Sequence, residues 1–183
     1  QRLTDPRHMA VFDKLLELAG WGQSAAGHAQ GIALFEAYGT VVGQVADVSI
    51  NPSSAQPIVV HKVVCVVECG RAINPDIVKA QMQSGIIFGL TAALYGEINI
   101  DNGRVRQSNF HDYKMVRMDE APTIETYIIN GGETLGGAGE PATPAIAPAL
   151  ANAICDATGI RIRELPMNNI DFSEQSLESK DVV

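Results

Sequence analysis

The sequence predicts an α+β fold in which mostly antiparallel strands pack against helices. Two observations support this prediction. Three segments carry the capping residues of helices, and each places apolar residues at helical spacing. Between them, segments rich in β-branched residues are separated by turn-forming residues, as in strands joined by hairpins. Strands interspersed with helices in this way are typical of an α+β domain.

The first and third helices are predicted from their end signals. Asp5, followed by proline, suits a helix N-cap, and Gly20 suits the position just after the last turn. The third helix begins either at Thr143 or, if its first turn is irregular, at Pro148. It is predicted to end at Gly159, since glycine adopts the left-handed conformation that terminates helices.

The second helix is predicted from Asn74, a capping residue before proline, to about Leu94. Gly85 and Gly89 lie four residues apart, so they share one side of the helix and allow another backbone to approach it. Four apolar residues are predicted to line the buried face: Met82, Ile86, Leu90 and Ala93.

The predicted strands lie between these helices. The segment 58–68 is the strongest, because it is dominated by valine and other β-branched residues. Asp101-Asn102-Gly103 is a hairpin signal. The remaining predicted strands are 31–38, 41–50, the two hairpin strands 95–100 and 104–109, and 123–130.

Composition excludes several classes of partner. The chain has 183 residues, a net charge of −8 and a pI of about 4.9, which argues against nucleic acid or an anionic membrane surface. We expect a soluble protein with no membrane span, in the cytoplasm or the periplasm. Because the chain begins with Gln1, we also expect a processed or truncated piece of something longer.

The cysteines and histidines form no spaced metal motif. Cys65 and Cys69 lie in an apolar run and are predicted to be buried thiols, as in a reducing setting. His111 is the only histidine next to a carboxylate, Asp112, and this pair is predicted to cap a loop.

The run from Gly131 to Pro141 is the most informative segment, since five of its first nine residues are glycine. Glycine lets a backbone approach a bulky ligand closely, and the run delivers one carboxylate, Glu140, to the start of a helix. It suits a backbone wall around a cofactor with a general base beside it. The alternative is a flexible turn with a surface glutamate.

Four groups of motifs resemble one known family. They are residues 60–75 with Gln81, residues 137–149 with 152–153, residues 108–113, and residues 19–22. Together they resemble the large, molybdopterin-binding subunit of xanthine oxidase family hydroxylases, of isoquinoline 1-oxidoreductase type. The resemblance implies that 1–167 is the C-terminal segment of a molybdopterin-binding domain, of the aldehyde oxidase and xanthine dehydrogenase type. Residues 168–183 would then form an acidic tail.

The resemblance also implies cofactors and partners. Molybdenum would be held by a molybdopterin cytosine dinucleotide, and oxygen from water would be inserted at an electron-poor carbon. Electrons would leave through 2Fe-2S clusters on a small partner subunit. The family's other cofactor loops would lie in the N-terminal remainder of the large subunit, so we expect the isolated chain to be inactive.

By the same resemblance, Glu140 is the catalytic base and Gln81 contacts the cofactor through its side-chain amide. Gly137, Ala138 and Gly139 are implied as backbone neighbours of the cofactor, and no residue is implied as a direct metal ligand. The alternative for Gln81 is an ordinary polar residue on an exposed helix face. The chain departs from many family members at two positions, Ser84 and Phe88.

Several functions remain open from the sequence. The leading one is hydroxylation of an N-heteroaromatic compound, and an aldehyde-oxidising member of the same family is the first alternative. A cofactor-free fragment or scaffold module without activity is the second. A hydrolase using Glu133 with Glu140 is the weakest, because their spacing on a glycine loop fixes no geometry.

Overall fold

A computed structural model describes residues 3–173 of the chain. Three long helices and one four-stranded sheet account for most of the regular structure, so the predicted α+β class is confirmed. In chain order the elements are α1 (Pro6–Ala19), β1 (Ala29–Ala37), β2 (Thr40–Ile50), β3 (Ile58–Glu68), α2 (Pro75–Leu94), β4 (Ile100–Asp101), β5 (Arg104–Val105), β6 (Thr123–Ile129), α3 (Thr143–Thr158) and a short 3-10 helix (Met167–Asn169).

The four-stranded sheet has the order β1-β2-β3-β6. The first three strands are antiparallel neighbours, whereas β6 pairs in parallel with β3. The β1–β2 turn is made by Tyr38 and Gly39, both with positive φ (56° and 74°), as tight hairpins of this kind require. This turn matters for the site, because the glycine-rich loop packs against it.

The predicted hairpin around Asn102-Gly103 exists, but its strands at 95–100 and 104–109 are wrong in length. Only β4 and β5, two residues each, are paired. Tyr95 and the residue after it still donate hydrogen bonds to α2, so the helix end takes up the start of the predicted strand. Further along, the Asn99 and Gln107 side chains replace ladder bonds, with contacts of 2.7 and 2.8 Å.

The helix ends follow the predicted signals. The Asp5 side chain accepts hydrogen bonds from two main-chain N–H groups of α1, and Asn74 does the same for one of α2. The open question about α3 is settled in favour of Thr143, and Pro148 lies inside the helix. Gly20 and Gly159 end α1 and α3 in the left-handed conformation.

Two cores lie on opposite faces of the sheet, because alternate residues of a strand point to opposite sides. On one face, Val41 and Val45 of β2 pack with Val11 and Leu15 of α1. On the other face, the larger core joins the sheet to α2 and α3. The predicted buried face of α2 is confirmed, since all four of its residues are at most 1% exposed: Met82, Ile86, Leu90 and Ala93.

Helices α2 and α3 touch through the predicted glycines. A Cβ at Gly89 would lie 2.5 Å from the Thr143 carbonyl oxygen, and one at Gly85 would lie 3.2 Å from the Ala142 side chain. Larger residues at these positions would push α3 away from α2. The start of α3, three residues after Glu140, is therefore fixed by close contact with α2.

One helix, α2, bears on the expectation of no membrane span. Pro75–Leu94 is long and apolar enough to cross a bilayer by length and composition alone. Half of it is buried inside the fold, however, as in the core helix of a water-soluble protein, so the membrane signal is weak.

The division predicted at residue 167 stays a prediction. Phe172 is 3% exposed and belongs to the larger core, so the first residues of the predicted acidic tail pack with the domain. The rest of that tail, 174–183, lies outside the described residues.

Cys65 and Cys69 are buried, as predicted. Burial raises the pKa of the Cys65 thiol from its ordinary value of 9.0 to about 12, because the thiolate would lose its hydration. In the unfolded chain this thiol ionises first, so its contribution to stability is present below pH 9 and is lost as the pH rises towards 12.

We therefore expect Cys65 to resist alkylation in the native protein at pH 8 and to react only after unfolding. Cys155, which is partly exposed, serves as the internal reference in the same sample. Peptide mass spectrometry after timed iodoacetamide treatment measures both rates, and equal rates for the two thiols in native protein would contradict the burial of Cys65.

Candidate functional site

The glycine-rich loop, residues 131–139, is tied to the ends of the sheet by main-chain hydrogen bonds. The Gly136 N–H donates to the Cys69 carbonyl, and the Gly137 N–H donates to the Tyr38 carbonyl, both at 2.9 Å. The Arg71 N–H donates to a carbonyl earlier in the loop at 3.2 Å. These hydrogen bonds favour a defined loop over the alternative of a flexible turn.

Close packing explains why two loop positions are glycine. A Cβ at Gly136 would lie 2.3 Å from the Thr40 hydroxyl oxygen. A Cβ at Gly131 would lie 1.5 Å from a carboxylate oxygen of Glu68. Both distances are far below van der Waals contact, so these glycines let the loop lie directly on the strand ends.

Glu68 anchors the base of the loop and was missed by the sequence reasoning. Its side chain is 3% exposed, accepts a 2.7 Å hydrogen bond from the Gly70 N–H and forms an ion pair with Arg7. Arg7 also donates to the Gly39 carbonyl at 2.6 Å, which joins α1, the hairpin turn and the loop. A lone glutamate ending a valine-rich strand was the available sequence signal.

Glu140 follows the loop and lies on the rim of an open groove of about 440 Å³. Its main-chain carbonyl accepts a 3.0 Å hydrogen bond from the Thr143 N–H, which sets the entry into α3. Three aromatic side chains line the same groove: Phe35, Tyr38 and Phe88. Glu140 is the one acidic residue among those that line it, so an electropositive or proton-donating group in the groove would meet this carboxylate.

Gln81 and Gly139 lie side by side next to this groove. Gln81 is exposed on α2, and its amide nitrogen lies 3.9 Å from the position of a Cβ on Gly139. Phe88, 71% exposed, lies two helical turns further along the same face. The structure thus brings Gln81, Gly139 and Glu140 together, although α2 and the loop are distant in sequence.

The other two predicted loop residues are not among those that line the groove. Gly137 packs against Tyr38, and Ala138 is half-buried against the larger core. Glu133 is exposed and is not among the groove's lining residues, so the proposed carboxylate pair with Glu140 finds no support.

Gly139 differs from its neighbours in the loop because nothing in the described structure requires a glycine there. Its φ is not positive, and a Cβ would stand in open space apart from Gln81. A bare backbone facing open space beside an exposed amide leaves room for a flat, polar ligand.

The remaining sequence expectations concern the Asp112 loop and metal ligands. Asp112 caps its loop as predicted, and hydrogen bonds from the Asn109 and Ser108 N–H groups lower the pKa of its carboxyl to about 2. Within residues 3–173, no group of three or more histidine, cysteine or acidic side chains is arranged to hold a metal ion.

The structure thus defines an α+β domain with an open groove beside Glu140, and comparisons with known proteins show which family it belongs to. A family model described as a molybdopterin cofactor-binding domain matches residues 19–122, more than half of the chain. The chain therefore belongs to the molybdopterin cofactor-binding domains, within the xanthine oxidase family of molybdenum enzymes.

Three similar proteins illustrate the relationship. The beta subunit of isoquinoline 1-oxidoreductase from Brevundimonas diminuta is 38% identical over 90% of this chain and 21% of its own length. A membrane-bound aldehyde dehydrogenase of Gluconacetobacter polyoxogenes, named as pyrroloquinoline-quinone dependent, is 29% identical over 90% of this chain and 22% of its own. The crystal structure of quinoline 2-oxidoreductase from Pseudomonas putida superposes with a TM-score of 0.64 and 26% identity, over 70% of this chain and 17% of that one. The chain thus spans about a fifth of the length of these relatives.

Proposed function

We propose that this chain forms one wall of the molybdenum cofactor site in a hydroxylase, with Glu140 as its general base. One observation carries the proposal: Glu140 lies on a groove rim beside an open glycine, Gly139, and an exposed amide, Gln81. A base must lie within hydrogen-bond reach of the proton that it takes, and a ligand seated on Gly139 would meet Glu140 at short range.

The residues present fit a molybdopterin cofactor. Gly139 offers a bare backbone, and the Gln81 amide offers two donors and an acceptor to the polar edges of a pterin. The loop residues before Gly139 are anchored: the Gly137 N–H donates to the Tyr38 carbonyl, and Ala138 packs against the larger core. We propose the cytosine dinucleotide form of the cofactor, which when bound supplies the oxidation that accompanies oxygen insertion.

Glu140 moves the proton in this scheme. Its carboxylate accepts the proton that is released as water-derived oxygen bonds to an electron-poor carbon of the substrate. Tyr38 and Phe88 flank the groove and are exposed in the described structure, so a bound substrate would cover them and exclude water from the carboxylate.

We propose an N-heteroaromatic substrate, since two similar proteins are named for isoquinoline and quinoline. The aromatic side chains on the groove support a flat ring, which stacks well on them. The alternative is an aldehyde, as in the name of the Gluconacetobacter relative.

The test is an assay of the purified complex that contains this chain, with a dye as electron acceptor and heavy-oxygen water. We expect hydroxylated quinoline or isoquinoline carrying the heavy oxygen. Oxidation of benzaldehyde alone would favour the aldehyde alternative, and no turnover with either class in a molybdenum-loaded complex would contradict the proposal.

We further propose that the active enzyme includes the N-terminal remainder of a large subunit and a small subunit with 2Fe-2S clusters. In this proposal residues 1–167 are the C-terminal segment of the cofactor-binding domain, and the isolated chain is inactive. The exposed position of Glu140 supports this, because a base that works in a water-excluded site needs a further wall. A cofactor-free scaffold module remains the contrasting hypothesis.

The substitution Gly139→Leu should lower cofactor binding while leaving the stability of the fold nearly unchanged. Because a side chain at this position meets open space, the free energy of unfolding should change by only about 0.5 kcal/mol. The molybdenum content of the purified complex should fall sharply, since the new side chain fills the space assigned to the cofactor. Urea unfolding and metal analysis measure the two effects, and full molybdenum content in the variant would contradict the placement.

A further inference from the structure

Buried polar side chains concentrate around the segment that carries Glu140. In the described part of the chain, four polar or charged residues are buried: Thr40, Gln44, Glu68 and Thr91. The first three contact the glycine-rich loop or the start of α3, whereas Thr91 hydrogen-bonds to a carbonyl of its own helix. Buried polar groups cost stability unless they are paired, so their clustering at one segment calls for an explanation.

Two of them, Thr40 and Gln44, lie four residues apart on β2 and therefore project from the same face of the sheet. Both are 0% exposed. The Thr40 hydroxyl donates a 2.7 Å hydrogen bond to the carbonyl of Gly137, three residues before Glu140. The Gln44 amide donates a 2.7 Å hydrogen bond to the carbonyl of Ala142, two residues after Glu140.

The Gln44 amide oxygen has no hydrogen-bond partner, although it is buried. An apolar side chain of similar size would avoid this cost, so Gln44 is a poor choice for packing alone. What the glutamine adds is its hydrogen bond to the carbonyl of Ala142, the residue that precedes the first turn of α3.

We propose that Thr40 and Gln44 are positioning residues that hold Glu140 from both sides. The two side chains fix the main chain before and after the glutamate to one rigid strand, which leaves only the short segment 138–141 free to adjust. The inference rests on the proposed role of Glu140 as a base, and it assigns to β2 the task of fixing where that carboxylate stands.

The test uses Thr40→Val and Gln44→Met in the purified complex that contains this chain. Thr91→Val is the matched control, because it also removes a buried hydroxyl but lies away from the loop. Thr40→Ser restores the hydroxyl and serves as the rescue variant. Hydrogen–deuterium exchange of peptides covering 136–143 is measured alongside kcat and KM.

We expect exchange in 136–143 to rise by about three- to tenfold in Thr40→Val and Gln44→Met, the factor that corresponds to one lost hydrogen bond. It should stay at the wild-type level in Thr91→Val and Thr40→Ser. The value of kcat should fall by about tenfold or more in the first two variants, with KM nearly unchanged, because a displaced base loses rate and not affinity.

Two results would overturn the proposal. One is exchange in 136–143 that matches the Thr91→Val control. The other is faster local exchange with an unchanged kcat, which would mean that the hydrogen bonds serve folding only. A wrong assignment of Glu140 as the base would show separately, as retained turnover in Glu140→Gln. That result would not alter the exchange measured in 136–143.

Discussion

Glu140→Gln should abolish turnover while leaving the fold and the cofactor content unchanged. The amide has the size of the carboxylate but cannot accept the proton, and loss of a general base costs at least about a hundredfold in kcat. Glu140 is exposed in the described structure and its side chain is in none of the described hydrogen bonds or ion pairs, so the substitution removes no packing. The measurements are kcat, molybdenum content and the thermal unfolding temperature of the purified complex.

The matched control is Glu133→Gln, on the same loop but away from the groove. It should retain wild-type turnover. Activity of Glu140→Gln above about a tenth of wild type would count decisively against its role as the base, since a general base contributes more than that factor. Loss of activity in both variants would point to the loop as a whole.

Gly31→Ala should have the largest effect on stability. In β1 a Cβ at Gly31 would lie 2.1 Å from the Ala149 carbonyl oxygen and 2.2 Å from the Ala153 nitrogen, both main-chain atoms of α3. Main-chain atoms cannot rotate away, so strand and helix must separate. Overpacking of this kind costs about 3 kcal/mol, and the helix that follows Glu140 would be displaced as well.

Urea unfolding followed by circular dichroism measures this loss. Gly139→Ala is the control, because it adds the same methyl group to a glycine with open space around it. The control should unfold near the wild-type midpoint. A Gly31→Ala variant as stable as Gly139→Ala would mean that β1 and α3 are not in direct main-chain contact.

The helices were predictable because their signals are local. Asp5 and Asn74 make the capping hydrogen bonds that their residue types favour, and Gly20 takes the left-handed conformation. The hairpin strands beside Asn102 were overestimated, because the end of α2 and two side-chain amides took over their hydrogen bonds. Propensity over a few residues carries no information on such competition.

The site was predictable only in part. Family resemblance singled out Glu140, Gln81 and Gly139; in the structure Gly139 and Glu140 line one groove and Gln81 lies beside Gly139. Neither Thr40 nor Gln44 could be recognised, because their roles depend on hydrogen bonds to carbonyls about a hundred residues away, at separations of 97 and 98. In the sequence both look like ordinary polar residues of a strand.

The parallel pairing of β6 with β3 also depends on tertiary structure. β6 (Thr123–Ile129) leads directly into the glycine-rich loop beside the end of β3. There Ile129 pairs with Glu68, and the Gly131 N–H donates to the Gly70 carbonyl. Because β6 runs parallel to β3, the loop that follows β6 lies at the same end of the sheet as the C-terminal end of β3. Composition alone predicted a strand there but gave neither its partner nor its direction.

The most direct test of the proposed cofactor wall is molybdenum analysis of the complex that contains this chain, purified from its native host. We predict molybdenum in stoichiometric amount with the chain, together with a co-purifying iron–sulfur subunit identified by mass spectrometry. A stable complex that contains the chain but no molybdenum would contradict the assignment of Gly139, Gln81 and Glu140 to a cofactor site.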